Sequence, residues 1–326
     1  MNDRSGFELI LPFLRPIEHL IVDDNISEIM INGGSRVFIE RAGQLESVPN
    51  VSLSQATLNA AVKNIARRLG DDVSEIKPIL DSRLPDGSRV AAIVPPCSID
   101  GITLTIRKFN ARHFTIEDLI NIGTLTAELA GMIRRRVEDR SNILISGGTG
   151  TGKTTLLNIL TGFIPDEERI VLIEDIAEIQ VNKSNLVRFE TRREQSGIPA
   201  VTMRDLLKAT LRHRPDRIIV GEIRGGEAFD LLQALNTGHS GSLSTIHANS
   251  AAQALQRFTS CVLQSGIELP YRAIKSHIAD SIQHLIHIER SRGRRFVSQV
   301  LELAGYAADA DRYEFHVLYE APHSKR

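Results

Sequence analysis

Gly147-Gly148-Thr149-Gly150-Thr151-Gly152-Lys153-Thr154 decides how this 326-residue chain is read. The octet fits G-x-x-x-x-G-K-[ST], a loop whose backbone cradles phosphate groups. Its flanks agree. Asn142-Ile143-Leu144-Ile145 is an apolar run of strand type, and Thr154 to Leu160 places Leu156, Leu157 and Leu160 on one helical side. Strand, glycine loop and helix together aim backbone N–H groups and a positive helix end at an anion. Glycine is required where the backbone must curl around a phosphate. Gly147, Gly148, Thr149, Gly150, Thr151, Gly152, Lys153, Thr154 and the adjoining Thr155 are the expected ATP-binding residues. Lys153 is expected on the β- and γ-phosphates and the Thr154 hydroxyl on Mg²⁺.

Around the loop the pattern alternates. Strands are expected at 142–146, 169–174, 186–190, 217–221 and 243–247, and helices at 153–162, 202–213, 226–236, 250–264 and 270–281. Alternation of this kind predicts a parallel sheet covered on both faces. The tail from Ser281 to Tyr319 returns to short strands, with Ser291-Arg292-Gly293-Arg294 as a hairpin turn.

The first third reads differently. Leu9, Ile10, Phe13, Leu14, Ile17, Leu20 and Ile21 have helical spacing, and Pro12 and Pro16 break it. Residues 28–32, 36–40 and 45–48 form a meander with turns at Gly33-Gly34 and Ala42-Gly43. Leu53 to Leu69 is an amphipathic helix begun by Ser52 or Ser54 and stopped by Gly70. Strands at 79–83, 89–94 and 102–107 complete an α+β domain over residues 1–108. Residues 109–124 read as a hinge and 125–326 as the phosphate-binding domain.

Hydrolysis needs carboxylates for metal and water, and a cation for the charge that develops on the γ-phosphoryl group. Acids stand at the ends of two strands. Arg169-Ile170-Val171-Leu172-Ile173 leads into Glu174, Asp175 and Glu178, and Arg217-Ile218-Ile219-Val220-Gly221 leads into Glu222. The second resembles a Walker B strand, with Gly221 where an Asp is usual. Thr237 to Ser250 holds His239 and His247 among small residues. No zinc-type ligand set surrounds them, so they read as polar sensors.

Composition sets bounds. The chain is 42% hydrophobic and 24% charged with a formal net charge of −1, so no global field attracts nucleic acid. Its two cysteines, Cys97 and Cys261, fit buried thiols in a reducing compartment. No apolar run reaches the length of a membrane span, and a cytoplasmic protein is expected. Arg134-Arg135-Arg136 and the Arg290–Arg295 run read as solvated surface. Without tryptophan, a stacking platform for single strands is not expected.

The loop, the acidic box ending in Glu178, Gly221-Glu222-Ile223-Arg224 and the His239–His247 box occur in an order and spacing that resembles the type II/IV secretion ATPase superfamily. Leu84-Pro85-Asp86-Gly87-Ser88-Arg89-Val90, Leu104 to Phe109, Arg214-Pro215-Asp216-Arg217 and Gly225-Gly226-Glu227-Ala228 resemble its tight-adherence pilus (CpaF) and conjugal-transfer (TrbB) branch. The resemblance covers about residues 25 to 290. It implies a RecA-like P-loop ATPase domain behind a smaller, PAS-like α+β domain. It implies Glu178 as the base that polarises water, Glu222 as the acid holding Mg²⁺ through water, and His239 and His247 as residues that sense the γ-phosphate or relay between subunits. Arg89 and Arg107 become cations that reach the phosphates. It further implies a homo-hexamer, peripheral at the inner membrane, working with platform proteins of a pilus or secretion machine, without direct nucleic-acid contact. The alternative is a RecA-type motor driven by nucleic acid.

Overall fold

The computed structural model describes residues 4–41, 44–109, 114–192, 194 and 198–322. The chain divides into two compact units, Met1–Arg112 and His113–Arg326. The Ala42-Gly43 turn and residues 110–113 of the expected hinge lie outside the described residues.

In the first unit, proline breaks the opening helical pattern because it lacks an N–H to donate. Three 3-10 turns, Arg4–Leu9, Leu11–Phe13 and Arg15–Ile17, precede the short helix α1 (Glu18–Ile21). Ile10, Leu14 and Ile17 are fully buried all the same. The helix α2 (Gln55–Arg68) begins at Ser54, whose hydroxyl accepts the Thr57 N–H. The strands are β1 (Ile26–Asn32), β2 (Arg36–Arg41), β3 (Gln44–Ser47), β4 (Ile79–Arg83), β5 (Arg89–Ile93) and β6 (Thr103–Arg107). They form an antiparallel sheet in the order β3-β2-β1-β6-β5-β4. Alternate residues such as Ile29, Ile31, Leu80, Val90 and Leu104 face the same core as Leu58, Val62 and Ile65 of α2. Cys261 is buried, but Cys97 is exposed, because it sits in the loop after β5 and not in a strand.

The second unit holds α3 (Ile116–Asn121), α4 (Ala127–Glu138), β7 (Ile143–Gly147), α5 (Lys153–Gly162), β8 (Ile170–Glu174), β9 (Leu186–Glu190) and α6 (Met203–Thr210). Then come β10 (Arg217–Ile223), α7 (Glu227–Asn236), β11 (Leu243–His247), α8 (Ala251–Leu263), α9 (Tyr271–Ser281), β12 (His284–Ser291), β13 (Arg294–Ala307) and β14 (Arg312–Glu320). The sheet order is β14-β13-β12-β7-β11-β10-β8-β9. From β12 to β9 every pairing is parallel, and β13 and β14 extend the sheet antiparallel. Ile143 and Ile145 of β7 pack with α3, α4 and α5, while Leu144 packs with α6 to α9, so both faces are covered. That double burial explains why these strands read as unbroken apolar runs.

Two expectations change here. The stretch from Ile116 to Leu125 does not stand apart as a connector: Ile116, Leu119 and Leu125 are buried in the second core, and Thr124 accepts the Val297 N–H. The tail strands are not short, and β12 lies in parallel register directly beside β7, with His287 opposite Ser146. Asn142 fastens the amino ends of three strands. Its Nδ2 donates to the Ser281 carbonyl, its Oδ1 accepts the Ser242 N–H, and its own N–H donates to Gln283 Oε1.

Candidate active site

The site gathers at the carboxyl ends of β7, β8, β10 and β11, where open parallel sheets leave a crevice. Gly147 ends β7 so close to β12 that a Cβ would stand 2.4 Å from the Ile288 carbonyl oxygen. Gly150 and Gly152 hold φ of +69° and +101°, in the left-handed region. Gly152 begins α5 with no side-chain cap, so the first-turn N–H groups lack the partner that Ser or Thr supplies elsewhere. Thr151 Oγ1 donates to the Gly148 carbonyl at 3.0 Å. Thr154 and Thr155 are half-buried in the first turn of α5. Lys153 is buried, and its Nζ donates to the carbonyls of Gly147 at 3.0 Å and Gly148 at 2.8 Å. Burial holds its pKa below that of a free lysine.

Beside the loop stands a charged chain. His247 closes β11 in register with Gly147. Its Nε2 lies 2.7 Å from Glu222 Oε1 and 3.4 Å from Lys153 Nζ. Glu222 Oε1 accepts no hydrogen bond despite that approach, so the contact is one of charge and proximity. Burial, then the Lys153 charge, lowers the His247 pKa against the opposing pull of Glu222. Arg224 Nε donates to Glu222 Oε2 at 2.7 Å, and its NH1 reaches Asp175 Oδ2 at 3.1 Å. Thr245 Oγ1 donates to the Gly221 carbonyl at 2.7 Å, tying β11 to β10 beneath this chain.

Glu174 ends β8 with its side chain only 3% exposed. Its Oε1 accepts the N–H groups of both Glu178 and Ile179 at 2.9 Å. Its Oε2 accepts no hydrogen bond, with Arg188 3.7 Å away. Burial outweighs these donors and pushes the carboxyl up to about 7. Glu174 thus shapes the turn that carries Glu178. The Glu178 side chain itself is exposed and forms no ion pair or hydrogen bond among the described residues.

The histidine box is split. His239 precedes β11 and lies at its amino end, about 15 Å of strand away from His247. Its ring Nδ1 is 3.1 Å from the Ala234 carbonyl at the end of α7. Within this chain a β-strand therefore separates the two histidines, His247 beside the loop and His239 at the far end of β11.

Arg89 and Arg107 belong to the first unit, where they stand directly opposite one another on β5 and β6. Arg83 lies opposite Arg89 on β4, and Glu28 opposite Arg107 on β1. Arg89 grips Asp81 with two bonds of 2.7 Å.

Sequence reasoning missed the Arg290–Arg295 run, read as solvated surface. Arg295 Nε donates to the Gly150 carbonyl at 2.9 Å. Only the register of β12 beside β7 reveals this, and nothing local in the sequence encodes it. Arg134, also read as solvated, stacks 4.4 Å over the Phe163 ring.

A glycine cradle, a buried lysine and strand-end acids stand together at these strand ends, and the model of the family described as "Type II/IV secretion system protein" matches residues 13–309. The chain belongs to that family. The family match extends further at both ends than the motifs alone reach. This secretion-family chain is 37% identical to the conjugal transfer protein TrbB of Rhizobium radiobacter over 289 residues, covering 87% of this chain and 85% of that protein. It is 42% identical to an uncharacterized protein of Methanocaldococcus jannaschii over 246 residues, 73% of this chain but only 34% of that protein. Among solved structures, the VirB11 ATPase of the Brucella suis type IV secretion system, in complex with sulphate, matches with 29% identity and a TM-score of 0.50. The match covers 91% of this chain and 95% of that one. The two-unit architecture with a RecA-like second unit is the family's.

Proposed function

We propose that this chain is a Mg²⁺-dependent ATPase that assembles as a homo-hexamer. It couples hydrolysis to pilus assembly or to transport through a type II/IV secretion-related machine. The supporting observation is the His247–Glu222–Arg224–Asp175 chain set against the glycine cradle and Lys153. Lys153 now satisfies itself on loop carbonyls and is released to phosphate oxygens when a nucleotide enters. Thr154 and Glu222 would hold Mg²⁺, Glu222 through water. Among the described residues no cluster of three acids or histidines forms a metal cage, which fits an ion that arrives on the phosphates. The ion supplies charge neutralisation at the phosphoryl oxygens. Glu178, on the turn shaped by Glu174, takes the proton of the attacking water. His247, beside Glu222 and Lys153, senses the γ-phosphate. Arg89 and Arg107 complete the charge stabilisation, an effect worth about 10³–10⁵ in rate for such arginines.

No helix among the described residues is long and apolar enough to cross a membrane. We place the motor on the cytoplasmic face of the inner membrane, held there by platform proteins of the machine. The test is Mg²⁺-dependent ATP turnover of wild type and Glu178→Gln over a range of protein concentration. Specific activity is expected to rise with concentration, with the Gln variant binding ATP but turning over below about 1% of wild type. Near-normal turnover of that variant removes Glu178 as the base. Turnover that requires single-stranded DNA favours the RecA-type motor instead.

A further inference from the structure

The β12–β13 hairpin closes the phosphate loop from the side opposite Glu222 and His247. Arg290 and Arg295 are partners in its register, next to the turn at Arg292-Gly293. Both lean over Gly150. Arg295 Nε donates to the Gly150 carbonyl at 2.9 Å, and its Cδ lies 3.5 Å from where a Cβ on Gly152 would stand. The Arg290 guanidinium lies 3.6 Å from the equivalent point on Gly150.

A peptide unit is planar and trans, so fixing a carbonyl fixes the next N–H in the opposite direction. By holding the Gly150 carbonyl, Arg295 turns the Thr151 N–H away from the hairpin. Lys153 holds the carbonyls of Gly147 and Gly148, but only until it is called to a phosphate. Arg295 goes on holding the Gly150 carbonyl after that. A glycine-rich loop has the most conformational freedom to lose on ordering, so an external clamp reduces what nucleotide binding must itself order.

We propose that Arg295, with Arg290 beside it, is a positioning residue that keeps the phosphate loop receptive within the same subunit and thereby sets nucleotide affinity. It acts through Gly150 and touches no substrate. The inference rests on the nucleotide reading above.

The experiment measures binding of a fluorescent ADP, the KM and kcat of ATP turnover, and the nucleotide-free unfolding midpoint of the full chain. The proteins are wild type, Arg295→Ala, Arg295→Lys, Arg295→Met, Arg292→Ala and Lys153→Ala. For Arg295→Ala, ADP binding weakens and KM rises about tenfold, the scale of one charge-assisted hydrogen bond, with kcat within about threefold. Arg295→Lys, which keeps a charged donor, recovers part of the loss, and Arg292→Ala at the turn stays within about twofold of wild type for ADP, well below one such bond. A purely structural arginine instead lowers the unfolding midpoint and kcat without a selective rise in KM, which overturns the proposal. Wild-type ADP affinity in Arg295→Ala, with binding lost in Lys153→Ala, also overturns it and leaves the nucleotide reading standing. If Arg295→Ala does not fold, wild-type affinity in Arg295→Met, which has no donor, overturns it equally. Wild type that binds no ADP removes the nucleotide reading, and this inference with it.

Discussion

The side chain of Glu174 lies against Gly221, so that a Cβ on Gly221 would stand 3.1 Å from Glu174 Cγ. This accounts for the glycine found where a Walker B strand usually carries an Asp. The carboxylate of the neighbouring strand fills that side of the crevice, and its Oε1 is committed to the N–H groups of Glu178 and Ile179. Glu174 cannot give way without releasing the turn that bears the proposed base.

Gly221→Asp, which restores the usual residue of the motif, is therefore expected to impair the enzyme. Overpacking against a buried, hydrogen-bonded side chain costs about 1–3 kcal/mol. Denaturation midpoints and ATP turnover check this, and a variant as stable and as active as wild type refutes the packing argument.

Glu174 predicts a pH effect on stability. Its folded pKa, about 7, lies above the ordinary carboxylate value. The folded protein therefore binds the proton more tightly than the unfolded chain between those values. The stability from this group is full below about pH 4.5 and is lost as pH rises through about 7, at roughly 3 kcal/mol in total. Glu174→Gln, which cannot ionise, lacks that loss. Relative to the variant, wild type should lose stability between pH 5 and pH 8, measured by urea unfolding at each pH. Parallel pH profiles contradict the assignment.

The two histidines should separate by readout. His247→Ala removes the ring that stands beside Glu222 and Lys153 and is expected to lower kcat by about 10²-fold while ADP still binds. His239→Ala removes a side-chain contact at the end of α7 and is expected to cost about 1 kcal/mol of stability. Equal losses of kcat for the two variants would contradict their placement at opposite ends of β11.

Arg217 begins β10 fully buried, paired with Glu168 and donating to the carbonyls of Val137 at 2.9 Å and Gly241 at 3.2 Å. Arg217→Met leaves Glu168 without that partner, and about 3–5 kcal/mol should be lost. Gly241→Ala tests the same packing, because its Cβ would fall 2.0 Å from Arg217 NH1 at a φ of +79°. A thermal melt of each variant is sufficient.

By itself the sequence determined the element list of both units. Period-two and continuous apolar runs, Ser52 or Ser54 ahead of α2 and Gly70 after it are local signals, set by backbone sterics and burial within a few residues. It also determined the glycine cradle and the strand-end acids, because chemistry at a parallel sheet must sit where strands end. Only the tertiary structure decided which distant residues meet. Parallel pairing of β12 with β7 joins segments about 140 residues apart, with His287 opposite Ser146, and no local pattern specifies it. That pairing sets Arg295 on Gly150, while the length of β11 parts His239 from His247. The side-chain path of Glu174 makes Gly221 a packing requirement. Register and burial are properties of the assembled sheet, so the partners of a residue, and the pKa that follows from them, are settled only when the strands come together.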